Sequence, residues 1–214
     1  MADYVLVHGG NMSVEAWNRL TVGSPVSTPD GRMGGRIWDP VIPALDSRGH
    51  KAFAPTLGDE HRDNLTANIE QICSLIIENG LRDVALAAHS FGGMVITGVA
   101  SKLADRVRRL IYVDAAWPDP GQSLFDLIRS TGTDPLSFPG LEADPPYVEK
   151  LQYDPTRLKL MDKTYIFCIE SDFAVVSRVA GKKATASKGW RYFELPTGHV
   201  PMASMPERLA PLLL

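Results

Sequence analysis

One serine lies where its hydroxyl could act as a nucleophile. Ser90 is in the segment Ala88-His-Ser-Phe-Gly-Gly93, between a short apolar run and a stretch of helical composition. A sharp strand-to-helix turn brings the flanking backbone together, so Ala88 and Gly92 fit where larger side chains would clash. Free N–H groups at the start of the helix would stabilise negative charge near the hydroxyl. We therefore predict Ser90 as the nucleophile, against the alternative of an ordinary serine that caps a helix.

A glycine-rich segment near the N-terminus could stabilise an oxyanion. His8-Gly-Gly-Asn11 directly follows the first apolar run. With little side-chain bulk, such a loop can turn a backbone N–H toward the serine. We assign the N–H groups of Gly10 and Phe91 to the oxyanion hole; the alternative for the first is a plain glycine turn that ends a strand.

A histidine near the C-terminus could be the general base. His199 ends the segment Pro196-Thr-Gly-His, which follows the last strand-like run. Ligand sites in open α/β sheets lie at the carboxyl edge of the strands, where this loop would present its imidazole. The other four of the five histidines lie in connections or inside the two motifs above. The sequence therefore predicts His199 as the base for Ser90.

Three carboxylates compete for the third catalytic position. Asp114 ends the strand-like run that follows the serine, whereas Glu170 and Asp172 follow the next one. All three satisfy the chain order serine, acid, histidine. A carboxylate at either strand end could hold the histidine tautomer that accepts the serine proton. Acidic residues are also common at strand ends for capping alone, so the pattern by itself leaves the acid open.

The elements that must position these residues alternate along the chain. Short apolar runs alternate with runs of helical period, which predicts a mostly parallel sheet with helices on both faces. Predicted strands are 4–7, 51–54, 83–88, 107–113, 163–169 and 190–195, and predicted helices are 37–48, 65–76, 92–103 and 206–214. Two stretches break the alternation. We interpret 21–36 as a mobile loop and 117–161, rich in Pro and Asp, as a lid of short helices.

Composition restricts the class of protein. A chain of 214 residues with 44% hydrophobic residues favours a single domain, 1–214, that carries the lid as an insertion. The formal charge of −3 provides no field for nucleic acid or an anionic membrane, so we expect a small, largely uncharged ligand. The two cysteines form no C-x-x-C pair, which leaves metal and disulfide sites without support. Without a leader or a membrane span, we expect a soluble, cytoplasmic protein.

The motifs together resemble the α/β-hydrolase superfamily. The resemblance rests on Val-His-Gly-Gly near the start, Ala-His-Ser-Phe-Gly-Gly-Met, Tyr-Val-Asp-Ala-Ala-Trp-Pro-Asp and Thr-Gly-His. Within it, the compact layout is similar to the group of small esterases and hydroxynitrile lyases that includes plant methyl salicylate esterases. The resemblance implies an eight-stranded type of sheet shortened at its N-terminal edge, a lid after Val113, and a Ser-His-acid mechanism without a cofactor.

Two positions depart from that group. Its members usually carry the acid where this chain has Ser171, and Asp172 is one position out of register, which would redirect its side chain. Other superfamily members take the acid from the strand after the nucleophile, which matches Asp114 and decides our assignment. The lyases resemble one another in a lysine after the catalytic histidine and a hydroxyl at the position of Gly10. This chain has Val200 and Gly10 at those two positions, which favours ester hydrolysis over cyanohydrin cleavage.

The expected activity is therefore cleavage of a small, largely apolar ester or lactone. Alternatives on the same scaffold are a hydroxynitrile lyase, an acyltransferase, a carbon–carbon hydrolase and a non-catalytic ligand receptor. Trp17 and Trp117 are assigned to the substrate pocket, because a lid must present apolar surface to a site that excludes water; the alternative is that they are packing residues of the lid. Phe125, Leu127 and Phe138 are further candidates. The sequence leaves a homodimer open.

Overall fold

A parallel sheet of six strands lies at the centre of the computed structural model, which describes residues 2–138 and 140–214. The strand order is β2-β1-β3-β4-β5-β6, and each neighbouring pair is parallel. This arrangement confirms the predicted sheet, and each predicted strand is present to within one residue at either end. The strands are β1 Asp3–Val7, β2 Lys51–Phe53, β3 Val84–His89, β4 Val107–Val113, β5 Asp162–Cys168 and β6 Trp190–Leu195.

Helices cover both faces of the sheet. The α-helices in the described residues are α1 Val14–Leu20, α2 Ile42–Asp46, α3 Leu65–Glu78, α4 Gly92–Lys102, α5 Leu124–Ser130, α6 Pro145–Val148, α7 Ala174–Ala186, α8 Pro201–Ser204 and α9 Pro206–Leu213. One face is buried under α3, α4 and α7, and the other under α1, α2 and α9. Because both faces of β3 are buried, all six of its residues lie in the interior.

Helix α3 shows how the pattern produces this packing. Its buried residues recur at spacings of three and four, so they form one stripe on the sheet-facing side. The side chain of Asn64 caps the first turn by accepting a hydrogen bond of 2.8 Å from the Ala67 N–H. Gly80 follows the helix with a φ of +63°, a conformation that favours glycine.

Some predicted helices differ from those observed. The predicted helix 37–48 is wrong: a 3-10 helix at Gly34–Trp38 is followed by a turn and then by α2. Pro40 and Pro43 lack the N–H that a continuous helix needs, so the chain divides there. Helices α1 and α7 were not predicted. Both combine apolar with polar and small residues, so neither sequence carries an apolar stripe as clear as that of α3.

The segment 117–161 contains the short helices that its composition predicts. These are α5, α6 and two 3-10 helices at Pro135–Ser137 and Pro155–Leu158. An isolated antiparallel β-bridge between Gln122 and Leu151 joins two parts of the segment. Its helix α6 packs against α3. Pro139, within the predicted lid, lies outside the described residues, as does Met1.

Across residues 2–138 and 140–214, no helix combines the length and the apolar character that crossing a bilayer would require. The two cysteines, Cys73 and Cys168, are buried and unpaired with each other. Burial raises the pKa of the Cys73 thiol to about 11. Burial of both side chains is typical of free cysteines that pack in a protein core.

Two isoleucines of α3 provide a matched test of this packing. Ile72 is fully buried, whereas Ile77 is 51% exposed in the same helix. We expect Ile72→Ala to lower the free energy of unfolding by about 3 kcal/mol, because it removes buried methyl groups and leaves a cavity. Ile77→Ala should change it by no more than about 0.5 kcal/mol. Urea denaturation followed by circular dichroism measures both, and equal losses would contradict the assignment of the buried face.

Candidate active site

Three residues that follow separate strands meet at the carboxyl edge of the sheet. Ser90 follows β3, Asp114 follows β4, and His199 lies in the loop after β6. The Ser90 Oγ is 2.9 Å from His199 Nε2, and His199 Nδ1 is 2.7 Å from Asp114 Oδ2. With the Nδ1 proton donated to the carboxylate, Nε2 is free to accept the serine proton. Parallel strands end at one edge, which is why residues 85 and 109 positions apart can form this chain of contacts.

The turn at Ser90 depends on small neighbours. Ser90 has a φ of 55°, a left-handed conformation that costs energy for a residue other than glycine. A Cβ atom at Gly92 would lie 2.5 Å from the carbonyl oxygen of His8, and one at Gly93 would lie 2.0 Å from that of Ala116. Both distances are too short for a carbon, so only glycine fits as α4 leaves the turn. The predicted approach of Ala88 to Gly92 is looser, at 3.3 Å from the Ala88 Cβ, so the tight contact at Gly92 comes from the loop after β1 and not from the flanks of the turn.

Asp114 is held by three hydrogen bonds in a fully buried position. Besides the His199 ring, it accepts from the Ser171 hydroxyl at 2.5 Å and from the Cys168 N–H at 3.2 Å. Ser171 in turn accepts from the Phe173 N–H at 3.0 Å. These donors compensate for the desolvation of a buried carboxylate and fix the direction of its oxygens.

In the described part of the chain, the side chains of the other two carboxylates make no hydrogen bond to this network, although Asp172 lines the pocket. Glu170 and Asp172 are both exposed. Within the described part of the chain, neither makes a hydrogen bond to His199, and Asp114 alone among the three does so. Ser171, between them, contacts Asp114 and lies 3.4 Å from His199 Nδ1. Sequence reasoning missed the contribution of Ser171; its position where related proteins usually carry an acid was the available signal.

The loop that carries His199 is fixed by a second histidine. His89 donates from Nε2 to the His199 carbonyl oxygen at 2.7 Å, and the two rings lie 4.4 Å apart. Burial lowers the pKa of His89 well below its ordinary value, and the neighbouring His199 ring lowers it further. The Phe173 ring packs against His199 from another direction, at 4.9 Å. His89 is thereby a neutral ring that holds the His199 loop in place.

His8 fixes the glycine loop in the same way. Its Nδ1 donates to the Gly9 carbonyl at 2.8 Å, and its Nε2 accepts from the Leu57 N–H at 2.8 Å. Burial lowers the pKa of His8 to about 4. A Cβ at Gly9 would lie 2.6 Å from the Ser90 Cβ, so a residue with a side chain does not fit where this loop approaches the serine.

A pocket of about 460 Å³ opens above Ser90. Gly10 and Phe91, the residues assigned to the oxyanion hole, both line it beside Ser90 and His199. In the chain that the structure describes, neither the Gly10 nor the Phe91 N–H donates to a protein acceptor. Most of the wall is apolar, and a polar patch lies beside Gly10. The apolar residues include Met12, Ile37, Leu124, Phe138, Leu141 and Phe173, and the polar patch comprises Asn11, Arg32, Glu60 and Tyr147.

The prediction that Trp17 and Trp117 line the pocket is wrong. Neither belongs to the described residues that form its wall. Ala16 faces the pocket, and Trp17, one residue further along α1, turns about 100° away into the core. Trp117 packs on Trp190 at 4.2 Å, with Lys183 Nζ 4.0 Å above its ring. Phe138, a further candidate, does line the pocket.

One group of potential metal ligands lies outside the pocket wall. Ligand atoms of His61, Glu142 and Asp144 lie within 4.8 Å of one another. His61 and Glu142 are exposed, and His61 Nδ1 already pairs with Asp144 at 3.0 Å. This hydrogen bond raises the pKa of His61. The three side chains form a surface ion pair with an additional carboxylate.

Comparison with known proteins identifies the family. Residues 4–212 match the model of the alpha/beta hydrolase family. The chain belongs to this family. The structure of an extracellular α/β-hydrolase from a Paenibacillus species, described as sharing structural and functional homology with tobacco salicylic acid binding protein 2, superimposes with a TM-score of 0.72. The two chains are 20% identical, and the match covers 100% of this α/β-hydrolase and 98% of the other.

Two esterases resemble this α/β-hydrolase in sequence. A carbendazim hydrolyzing esterase from Nocardioides sp. (strain SG-4G) is 35% identical over 136 residues, which cover 60% of this chain and 48% of that protein. The polyneuridine aldehyde esterase of Rauvolfia serpentina is 30% identical over 106 residues, which cover 44% and 39%. The chain thus spans less than half the length of each of these relatives.

The buried His8 ring predicts a stability that depends on pH. The folded ring binds a proton only near pH 4 and the unfolded one near 6.5, so the unfolded state binds more protons between these values. Stability is therefore lost as the pH falls from 6.5 toward 4. His8 contributes about 2 kcal/mol to the loss of unfolding free energy between pH 7 and pH 5. Urea denaturation at the two pH values measures the loss.

The matched variant is His8→Gln, whose amide can still donate to Gly9 and accept from Leu57. We expect its free energy of unfolding to fall less between pH 7 and pH 5 than that of the wild type. His89 adds a dependence of the same sign, since its pKa is also lowered, so some slope remains. An identical pH dependence in both proteins would contradict the assignment.

Proposed function

We propose that this α/β-hydrolase is a serine hydrolase that cleaves a small, largely apolar carboxylic ester or lactone. The observation that carries the proposal is the contact chain from Ser90 Oγ through the His199 ring to Asp114, with distances of 2.9 and 2.7 Å. A serine, an imidazole and a buried carboxylate in this order activate the hydroxyl at neutral pH. The two related esterases support the same class of reaction.

The first half-reaction forms an acyl-enzyme. His199 Nε2 accepts the Ser90 proton as Oγ bonds to the ester carbonyl carbon, and the carbonyl electrons move onto oxygen. The N–H groups of Gly10 and Phe91 stabilise this oxyanion. As the carbon–oxygen bond to the leaving alcohol breaks, the imidazolium returns its proton to the alcohol. A water molecule then repeats the sequence, and the acid is released with Ser90 restored.

The buried carboxylate stabilises the imidazolium in both halves. Asp114 is fully buried and hydrogen-bonded on both oxygens, so its charge acts on His199 at 2.7 Å without intervening solvent. The Ser171 hydroxyl orients the same carboxylate oxygen that contacts the ring. Ser171 is therefore a positioning residue in the proposed mechanism.

The pocket supports an apolar substrate. Leu124, Phe138 and Phe173 offer an alkyl or aryl group an apolar wall near Ser90. Val200, next to the base and on the same wall, presents no charge that could hold a leaving anion such as cyanide. In the proposal, the segment 117–161 acts as the lid that supplies part of this wall.

Removal of the nucleophile tests the proposal directly. We expect Ser90→Ala to lower the kcat for a p-nitrophenyl ester by about 10⁴-fold or more, because no other hydroxyl lies at that point of the turn. A fluorophosphonate probe should label the wild type and not the variant, which mass spectrometry of the intact protein measures. Undiminished turnover in the variant would remove Ser90 from the mechanism.

Two carboxylate variants test the acid. Asp114→Asn should lower kcat by about 10³- to 10⁴-fold, because an amide can donate to Nδ1 and favour the wrong imidazole tautomer. Asp172→Asn should change it by less than about tenfold, since this side chain is exposed and does not contact the ring. Steady-state kinetics on the same ester compare them. A collapse of the rate in the second variant alone would assign the acid to Asp172.

A further inference from the structure

The polar patch of the pocket lies against the residues assigned to the oxyanion hole. The ring of Tyr147 meets that of Phe91 edge to face at 5.0 Å. Its Oη lies 3.2 Å from the point that a Cβ on Gly10 would occupy. Tyr147 is 4% exposed and lines the pocket. A substrate carbonyl bound between the two N–H groups would therefore have the Tyr147 hydroxyl beside it.

The hydroxyl of Tyr147 faces the pocket as an acceptor. Its proton is donated to Glu60 Oε2 at 2.6 Å, which leaves the oxygen lone pairs for another partner. Burial raises the pKa of Tyr147, and the hydrogen bond to Glu60 raises it further, so the proton stays on the phenol. The hydroxyl therefore remains a neutral group whose proton is already engaged.

Glu60 makes the patch acceptor-rich. Its Oε2 accepts from Tyr147 and, at 3.4 Å, from the Asn11 N–H, and its Oε1 accepts from no residue in the described chain. An ionised carboxylate has no proton to donate. Arg32, at the pocket rim, uses its Nη1 to donate to the Asn11 carbonyl at 2.8 Å, which braces the loop that follows Gly10.

We propose that this patch selects esters that carry an O–H or N–H donor next to the scissile carbonyl, such as α-hydroxy esters or N–H carbamates. The inference rests on the proposed esterase function and names its substrate class. The donor binds Tyr147 Oη or Glu60 Oε1 while the carbonyl oxygen binds the Gly10 and Phe91 N–H groups. A substrate without a donor desolvates these acceptors and leaves them unpaired, which is costly in a partly buried site.

A pair of esters that differ by one methyl group tests the selection. Methyl mandelate carries an α-hydroxyl, and its O-methyl ether has the same skeleton without the donor. We expect the wild type to hydrolyse methyl mandelate with a kcat/KM about tenfold or more above that of the ether. The readout is the ratio of the two values, so a variant that changes both rates equally leaves it unmoved.

Tyr147→Phe keeps the ring on Phe91 and removes one of the two acceptors, so the ratio should fall, and Glu60 is the acceptor that remains. Tyr153→Phe is the matched control, because the Tyr153 hydroxyl donates to the Pro118 carbonyl and does not line the pocket. Its ratio should equal that of the wild type. Glu60→Ala is a second variant, which removes the acceptor of the Tyr147 hydroxyl. The O–H bond can then point into the pocket and act as a donor instead of an acceptor, so this ratio should also fall.

The outcomes separate this inference from the function on which it rests. A wild-type ratio near one, with Ser90-dependent turnover of both esters, overturns the selection and leaves the esterase function standing. A high ratio that persists in Tyr147→Phe and Glu60→Ala overturns the role of the patch. Turnover of neither ester, together with no labelling of Ser90 by the fluorophosphonate, overturns the esterase function and this inference with it.

Discussion

The hydrogen bond between Asp114 and His199 is the interaction on which the candidate site depends. A buried carboxylate is stable only where donors compensate for the loss of water, and here the ring, the Ser171 hydroxyl and the Cys168 N–H do so. The same contacts determine which nitrogen of His199 carries the proton. That in turn leaves Nε2 as the acceptor 2.9 Å from Ser90 Oγ. The burial of Asp114, the tautomer of His199 and the contact of His199 with Ser90 are thus linked through one carboxylate.

Close backbone packing is the second constraint. The glycine loop after β1, the turn after β3 and the chain after β4 approach one another so closely that Gly9, Gly92 and Gly93 have no room for a Cβ. Ser90 and Asp114 both adopt a positive φ, with values of 55° and 44°. Both residues leave adjacent parallel strands, and the left-handed conformation turns each side chain toward the site instead of continuing the strand. Neutral, buried His8 and His89 then fix the loops on either side.

The pocket combines two chemically different walls over this rigid base. The apolar wall comes from α5, the chain near Phe138 and Leu141, and Phe173 before α7. The polar wall joins three distant parts of the chain, since Asn11 contacts Glu60, and Glu60 contacts Tyr147. Because Tyr147 also touches Phe91, the shape of the pocket and the position assigned to the oxyanion are coupled. Substrate preference in such a site is decided by how well both walls are satisfied at once.

The sequence by itself determined the strands, the helices α3, α4 and α9, and the motifs around Ser90, Gly10 and His199. These features are local: an apolar run of strand length, a stripe at spacings of three and four, or a small residue beside a turn is visible in neighbouring residues. Only the tertiary structure decided which carboxylate contacts His199, and that Trp17 and Trp117 lie away from the pocket. It alone joined Ser171 to Asp114 and Tyr147 to Glu60, pairs separated by 57 and 87 positions. The direction of a side chain depends on the rotation of its element and on the neighbours that the folded chain brings to it, and neither is encoded in the adjacent residues.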